Sequence, residues 1–294
     1  MIQNNPFFVA EVSSNHLCDL RRCLQFVDTA ADCGCDAVKF QYFRIEELFA
    51  PEILANSPKH LSRKAWELPR NFLQPISIRC HNLGLRFGCT PFFLAGVEHL
   101  VEYVDFFKIA SYELLWLDLL RACAATGKPI IISTGLANTK EITAAVNALR
   151  TAGCSSPTLL HCVSGYPTPP SQTNLAAIDT LRKAFNTSVG WSDHTVSSAV
   201  LYRAAHRWGA ATIEVHLDLD GQGAEYATGH CWLPEQLKQT IANIREGTGA
   251  DGNGVKECMP EEEADRNWRS DPKDGLRPLS TERSRWLNTL RKEE

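Results

Sequence analysis

The sequence has no Cys-x-x-Cys pair, no glycine-rich phosphate loop and no long apolar run, and each absence removes a class of protein. Without roughly 20 consecutive apolar residues no segment can cross a bilayer as a helix. Met1 to Pro6 also lack the basic and then apolar pattern of a secretory signal. A cytoplasmic protein with no membrane partner is expected. The 11 cysteines are odd in number, Cys33 and Cys35 flank a single glycine, and several others lie inside apolar segments, so free, reduced and mostly buried thiols are expected. The missing phosphate loop argues against the nucleotide-binding folds. Thirty Lys and Arg stand against 34 Asp and Glu, a net charge of -4, with no basic run and no stripe of alternating basic and aromatic residues. Nucleic acid is therefore excluded as an expected partner.

What is present is a repeat of elements. The 294 residues are 44% hydrophobic, enough for a sizeable core. Short apolar segments, at Phe7–Val12, Ala37–Phe43, Arg86–Phe92, Asp105–Ser111, Ile130–Gly135, Thr158–Ser164, Ser188–His194 and Thr212–Leu219, read as strands. Three- and four-residue apolar spacing predicts helices between or after them, at Asp19–Cys33, Ser62–Leu83, Lys140–Ala152, Ala176–Phe185, Ser197–Trp208 and Pro234–Arg245. Glycine follows several helical stretches, as at Gly34, Gly84, Gly127 and Gly209, where a left-handed terminal residue is needed. Alternating β and α units in this number predict the α/β class and a (β/α)8 TIM barrel over residues 1–247. From 248 to 294 the composition turns glycine-rich, then acidic, then rich in turn formers, which predicts a short irregular C-terminal extension and no separate domain.

In such a barrel the active site lies at the C-terminal strand ends. Polar residues fall there on nearly every strand: Glu11, Lys39, Gln41, Thr90, Lys108, Ser111, Ser133, Ser164, Ser192, His194, Glu214 and His216, with Tyr166 just beyond the sixth. Lys39 and Lys108 sit between apolar neighbours, and two partly desolvated cations beside the hydroxyls of Thr90, Ser111, Ser133 and Ser192 match what a phosphate requires. His194 and His216 share a strand face with Ser192 and Glu214, two residues earlier, and end neighbouring strands about 4.8 Å apart. Two imidazoles at that spacing can share a cation. With no thiolate expected at the site, an octahedral ion such as Mn²⁺ is favoured over structural zinc, with His161 and His230 as reserve ligands. Glu11 within Val-Ala-Glu-Val is costly to bury unpaired, so it should meet a lysine, serve as an acid/base group, or both. Glu225 lies on a loop after the last strand.

The stretches Ala10–His16, Asp36–Gln41, Thr90–Phe92, Lys108–Glu113, Ser133–Gly135, His161–Pro169, Ser192–Thr195 and Ile213–His216 run in order through about residues 7 to 246 and resemble the sialic acid synthase family. Its members condense phosphoenolpyruvate with an N-acylated hexosamine aldehyde. The resemblance implies that Lys39, Thr90, Lys108, Ser111, Ser133 and Ser192 bind phosphoenolpyruvate. It implies that His194 and His216 bind a divalent metal, Mn²⁺ or Mg²⁺, and that Glu11, Glu214 and Glu225 are the catalytic carboxylates. Asn15, Gln41, Ser164 and Tyr166 are then acceptor-sugar residues, and a homodimer is implied. The sequence departs from the pattern at Val215, where the family carries Lys, and at Gly223-Ala224-Glu225, where it carries Gly-Pro-Asp. Family members typically continue into an antifreeze-like domain, which the C-terminal extension does not match.

Two rivals are compatible with the same residues. A Schiff-base pyruvate aldolase would use Lys39 or Lys108 as nucleophile. A non-catalytic sugar-binding or assembly subunit would keep the pocket without turnover.

Overall fold

Eight strands, all parallel, form in the order of the sequence: β1 Phe7–Glu11, β2 Ala37–Tyr42, β3 Arg86–Pro91, β4 Phe106–Ile109, β5 Ile130–Ser133, β6 Thr158–Cys162, β7 Val189–Asp193 and β8 Thr212–Leu217. In this computed structural model, which describes residues 5–293, β1 pairs with β2 on one side and with β8 on the other, Val9 lying opposite both Ala37 and Glu214. That closes the sheet into the expected (β/α)8 barrel. Two compact units divide the chain after Ala250, where the last barrel helix, Pro234–Ala250, ends.

Alternation along the strands sorts the side chains into two sets. Phe8, Val38, Phe87, Phe107, Ile132, Leu159, Trp191 and Val215 belong to the large core beneath the helices. Val9, Ala37, Phe106, Ile131 and Leu160 make a small separate apolar cluster inside the barrel. Gly88 is what allows Phe106 into that interior, because a Cβ there would stand 2.1 Å from the ring. Two residues further along β1, β2, β4, β5 and β6, on the same face, come Glu11, Lys39, Lys108, Ser133 and Cys162, so the apolar plug is the floor of a polar chamber.

The helices follow local signals with two departures. Leu20–Asp32 starts where the Asp19 carboxylate accepts the Arg21 N–H at 2.8 Å, and Thr139–Thr151 starts on an Asn138/Glu141 capping box. Gly84 and Gly127 take left-handed φ of +73° and +74° at helix ends, as their positions predicted. The helix expected over Ser62–Leu83 is instead two short 3₁₀ turns, Ser62–Trp66 and Arg70–Phe72, followed by a helix at Leu73–Asn82. Pro69 is the cause: it has no N–H to donate and disfavours helical geometry at Leu68, which is fully buried instead. The stretch expected as one helix over Ser197–Trp208 is α-helical only at Ser198–Tyr202 and widens to a π turn at Arg203–Arg207.

A ninth strand, β9 Cys231–Trp232, is additional to the eight read from the sequence. It pairs with the tip of β8, His216 opposite Cys231 and Leu217 opposite Trp232, beyond the Asp193–Val215 pair where β7 stops. The second unit contains two 3₁₀ turns and a helix at Ser280–Glu293, with the Trp268 and Trp286 rings edge-to-face at 6.1 Å. All the cysteines are free and most are buried. Among the described residues no helix is long and apolar enough to cross a membrane.

Candidate active site

The chamber above the apolar plug is a cavity of about 670 Å³ at the C-terminal strand ends. Its base is a compact network of charges. Lys39 Nζ lies 2.6 Å from Glu11 Oε2 and 3.7 Å from Glu214 Oε2, and it donates to Thr90 Oγ1 at 3.2 Å. Lys108 Nζ lies 3.4 Å from Glu214 Oε1 and donates to Ser133 Oγ at 2.7 Å. Ser192 Oγ donates to the same Glu214 oxygen at 3.3 Å, and Gln41 Nε2 donates to Glu11 Oε1 at 2.8 Å. Glu214 thus bridges both lysines.

Burial and pairing compete at each of these groups. For Lys39, burial opposes the charge, but Glu11 and Glu214 outweigh it and hold the ammonium above the ordinary lysine range. For Lys108, burial wins over Glu214 and the ammonium is lowered. Burial pushes Glu214 up, yet Lys108 and Lys39 bring its carboxyl down to about 2. An anion entering the chamber meets two ammonium groups with hydroxyls already in place around them. Gly135 keeps those hydroxyls close. Its N–H donates to Ser111 Oγ at 3.1 Å, and a Cβ there would stand 2.5 Å from Ser164 Oγ.

The rim on the β7–β9 side is built from imidazoles and one carboxylate. His194 Nδ1 donates to the Val163 carbonyl at 2.8 Å, which assigns the proton to Nδ1 and leaves Nε2 as an acceptor. The His194 and His216 rings are 5.2 Å apart, as their strand positions required, and His230 joins them at 4.6 Å from His216. Tyr166 packs on this group, 4.3 Å from the His194 ring and 4.9 Å from that of His230. Glu225 Oε2 sits 3.3 Å from His216 Nδ1 and 3.5 Å from His230 Nε2, while Ser13 Oγ donates to Glu225 Oε1 at 2.6 Å. Burial alone would raise the Glu225 carboxyl, but His216 and the Ser13 hydroxyl beside it hold it well below the usual carboxylate range. Burial lowers His216 and His194. An ionised carboxylate among such imidazoles suits a cation, and His216 Nδ1 and Glu225 Oε2 are buried without a hydrogen bond.

The chain's likeness to known proteins accords with this geometry. Residues 26–256 match the model of the NeuB family. The chain belongs to that family. An uncharacterized protein of Methanocaldococcus jannaschii is 38% identical over 87% of this chain and 75% of its own. The N,N'-diacetyllegionaminic acid synthase of Campylobacter jejuni is 35% identical over 88% of this chain and 81% of its own. Among solved structures, the N-acetylneuraminic acid synthetase of Leptospira borgpetersenii superposes with a TM-score of 0.79 at 29% identity, covering 98% of this chain and 93% of that one.

In this NeuB-family chain, the site residues expected from the sequence gather at one end of the barrel, and all but Glu11, Asn15, Thr90 and Ser164 line the cavity. Glu11 and Thr90 are fully buried behind Lys39. Asn15 was expected on the acceptor side of the cleft, but it is fully buried and its amide is spent on the protein: Nδ2 donates to Leu217 O at 3.0 Å, and Oδ1 accepts the Glu225 N–H at 2.8 Å. Ser164 Oγ is buried without a partner against Gly135. His161 Nε2 donates to the Thr173 carbonyl at 2.8 Å and is structural.

Several lining residues escaped the sequence reading. Glu113 faces the cavity, and burial raises its carboxyl to about 7. Phe49, Arg63 and Trp66 come from the short turns after β2, the Arg63 guanidinium lying 5.4 Å from the Trp66 ring. β9 also brings a thiol to the rim, pushed up to about 12 by burial: Cys231 stands beside His216, Glu225 and His230, one ligand atom from each lying within 4.8 Å of the others.

Proposed function

We propose that this protein condenses phosphoenolpyruvate with an N-acyl amino-sugar aldehyde in a metal-dependent reaction, giving a nonulosonic, sialic-acid-like 2-keto-3-deoxy sugar acid and inorganic phosphate. The observation that carries this reading is the paired-lysine base, Lys39 and Lys108 bridged by Glu214 and edged by Thr90, Ser133 and Ser192. NeuB-family membership and the relatives' names support it.

In this reading Lys39 and Lys108 hold the carboxylate and phosphate of the donor, and Ser111, Ser133 and Ser192 complete its donors, fixing the enol carbon toward the rim. His216, with Glu225 and the neighbouring imidazoles, fits a divalent ion, as its orphaned Nδ1 and the orphaned Glu225 Oε2 indicate. Such an ion supplies electrophilic polarisation of a carbonyl oxygen. Carbon C3 of the donor attacks the aldehyde carbon, and water adds to the cationic C2. Glu225, which lines the cavity, takes the proton from that water, the former aldehyde oxygen is protonated to a hydroxyl, and the tetrahedral adduct expels phosphate by C–O cleavage. Gln41 and Tyr166 lie where the acceptor must stand. A homodimer in the cytoplasm is part of the same reading.

The test is a screen of amino-sugar acceptors with phosphoenolpyruvate and Mn²⁺, Mg²⁺ or Zn²⁺, following phosphate release and product mass together. Acceptor-dependent phosphate with a matching product, lost in Lys108→Met and His216→Ala, is the expected result. Binding of sugars with no phosphate from any combination would overturn it. One observation favours the Schiff-base rival, the lowered ammonium of Lys108. Borohydride trapping of a pyruvate adduct, with turnover surviving a chelator, would select that rival.

A further inference from the structure

The residues around Cys231 form a more complete ligand set than the histidine pair alone. His216 Nδ1 to Glu225 Oε2 is 3.3 Å and His230 Nε2 to Glu225 Oε2 is 3.5 Å. Donors on a tetrahedral ion with bonds of about 2.0–2.3 Å are separated by roughly 3.3–3.7 Å, so these gaps are those of a ligand shell. Cys231 Sγ completes a group of four whose ligand atoms all lie within 4.8 Å of one another.

The surrounding contacts aim each donor inward. His230 Nδ1 is 2.5 Å from Thr228 Oγ1, which itself donates to the Glu225 carbonyl, so His230 carries its proton on Nδ1 and turns a lone pair on Nε2 toward Glu225. Asn15 Nδ2 reaches Cys231 Sγ at 3.5 Å, while Asn15 Oδ1 fixes the Glu225 backbone at 2.8 Å. One fully buried amide therefore positions two of the four donors. The β8–β9 pairing sets His216 directly beside Cys231. His194 packs its ring 5.2 Å from that of His216 and 6.0 Å from that of His230, with its Nδ1 committed to Val163, and is not one of the four residues whose ligand atoms converge.

We propose that His216, Glu225, His230 and Cys231 bind one divalent ion tetrahedrally through a Cys231 thiolate, and that the site selects Zn²⁺, Co²⁺ or Fe²⁺ over Mg²⁺ and Mn²⁺. Thiolate and imidazole donors favour the softer ions, and a four-donor cage does not meet the octahedral oxygen preference of Mg²⁺. On binding, the S–H bond breaks as the S–metal bond forms, and the proton leaves to solvent; the thiolate and the Glu225 carboxylate balance the ion's two charges. This deepens the reading that a divalent ion serves the proposed reaction, but the metal site can be measured without turnover.

The full-length protein, stripped with a chelator, is titrated with Co²⁺. The expected result is a thiolate-to-cobalt charge-transfer band, intense visible bands of tetrahedral Co²⁺, and a proton released per ion. Zn²⁺ displaces the Co²⁺, while Mg²⁺ does not. Cys231→Ser is expected to abolish the charge-transfer band and to weaken Zn²⁺ binding about 100-fold. His230→Gln should weaken binding with the band retained, and His194→Gln should leave the spectrum unchanged. Zinc-edge X-ray absorption on the unmutated protein reads the sulfur ligand directly, so the proposal stays testable if Cys231→Ser misfolds. Cobalt bound without a charge-transfer band, a band that survives Cys231→Ser, or a zinc shell without sulfur would overturn it. Sulfur-free binding with phosphate release would sink this proposal and leave the functional reading intact; a zinc–sulfur site with no turnover would do the reverse.

Discussion

Lys39 Nζ lies 2.6 Å from Glu11 Oε2, with both side chains at most 4% exposed. An ion pair taken this far from water stabilises only while both partners remain, because removing one leaves an uncompensated buried charge. Lys39→Met is therefore expected to cost about 3–5 kcal/mol in urea unfolding. Combining it with Glu11→Gln should recover about 2 kcal/mol relative to the sum of the single changes. Strict additivity of the two would show that the pair is not coupled.

Gly88 and Gly190 are both incompatible with a side chain, for different reasons. A Cβ at Gly88 meets the Phe106 ring at 2.1 Å, whereas one at Gly190 meets the Thr212 carbonyl oxygen at 2.0 Å. A side chain can be shortened, but a backbone carbonyl in a strand cannot be moved without opening the barrel. Gly88→Ala is expected to cost about 1–3 kcal/mol and to be largely rescued by Phe106→Leu. Gly190→Ala should be at least as damaging, with Thr212→Ala giving no rescue. Thermal unfolding of the four variants separates the cases, and equal rescue at both sites would refute the steric assignment.

The barrel was legible because apolar segments recur, nearly every one with a polar residue toward its C-terminal end, and the strand tips carry the lysines and histidines to one end whatever the helices do. The failures share a cause: interactions too short or too distant to leave a period. Pro69 splits the expected Ser62–Leu83 helix and brings Trp66 and Arg63 over the cavity. A strand of two residues, Cys231–Trp232, has no alternation to read, yet it sets Cys231 beside His216, next to the reserve ligand His230. The family resemblance implied a cleft role for Asn15. Its partners, Leu217 and Glu225, are some 200 residues away and visible only in three dimensions.

Asp193 is the anchor for that ninth strand. Its Oδ1 accepts from Trp191 Nε1 at 3.0 Å and from Thr195 Oγ1 at 2.7 Å, and its Oδ2 accepts from Trp232 Nε1 at 3.0 Å, all with the carboxylate fully buried. Asp193→Ala strands two buried indole N–H groups, an expected loss of about 3 kcal/mol. Asp193→Asn keeps one acceptor oxygen and should lose about half as much. Because β9 carries Cys231, ion affinity should fall with stability in both variants, measured by urea unfolding and Zn²⁺ titration. Unchanged Zn²⁺ affinity in Asp193→Ala would detach the anchor from the site.

Glu113 supplies a pH dependence whose sign is fixed by its environment. Burial raises its carboxyl from 4.5 to about 7, so between these values the folded protein holds a proton that the unfolded chain has released. Its contribution to stability is fully present below pH 4.5 and is lost as pH rises through 7. A carboxyl displaced this far contributes about 3 kcal/mol. Glu113→Gln cannot ionise, so the variant should lose less stability than the parent between pH 5 and pH 8, and should be the more stable of the two at pH 8. Parallel stability curves for the two proteins across that range would show that the carboxyl titrates alike in the folded and unfolded states.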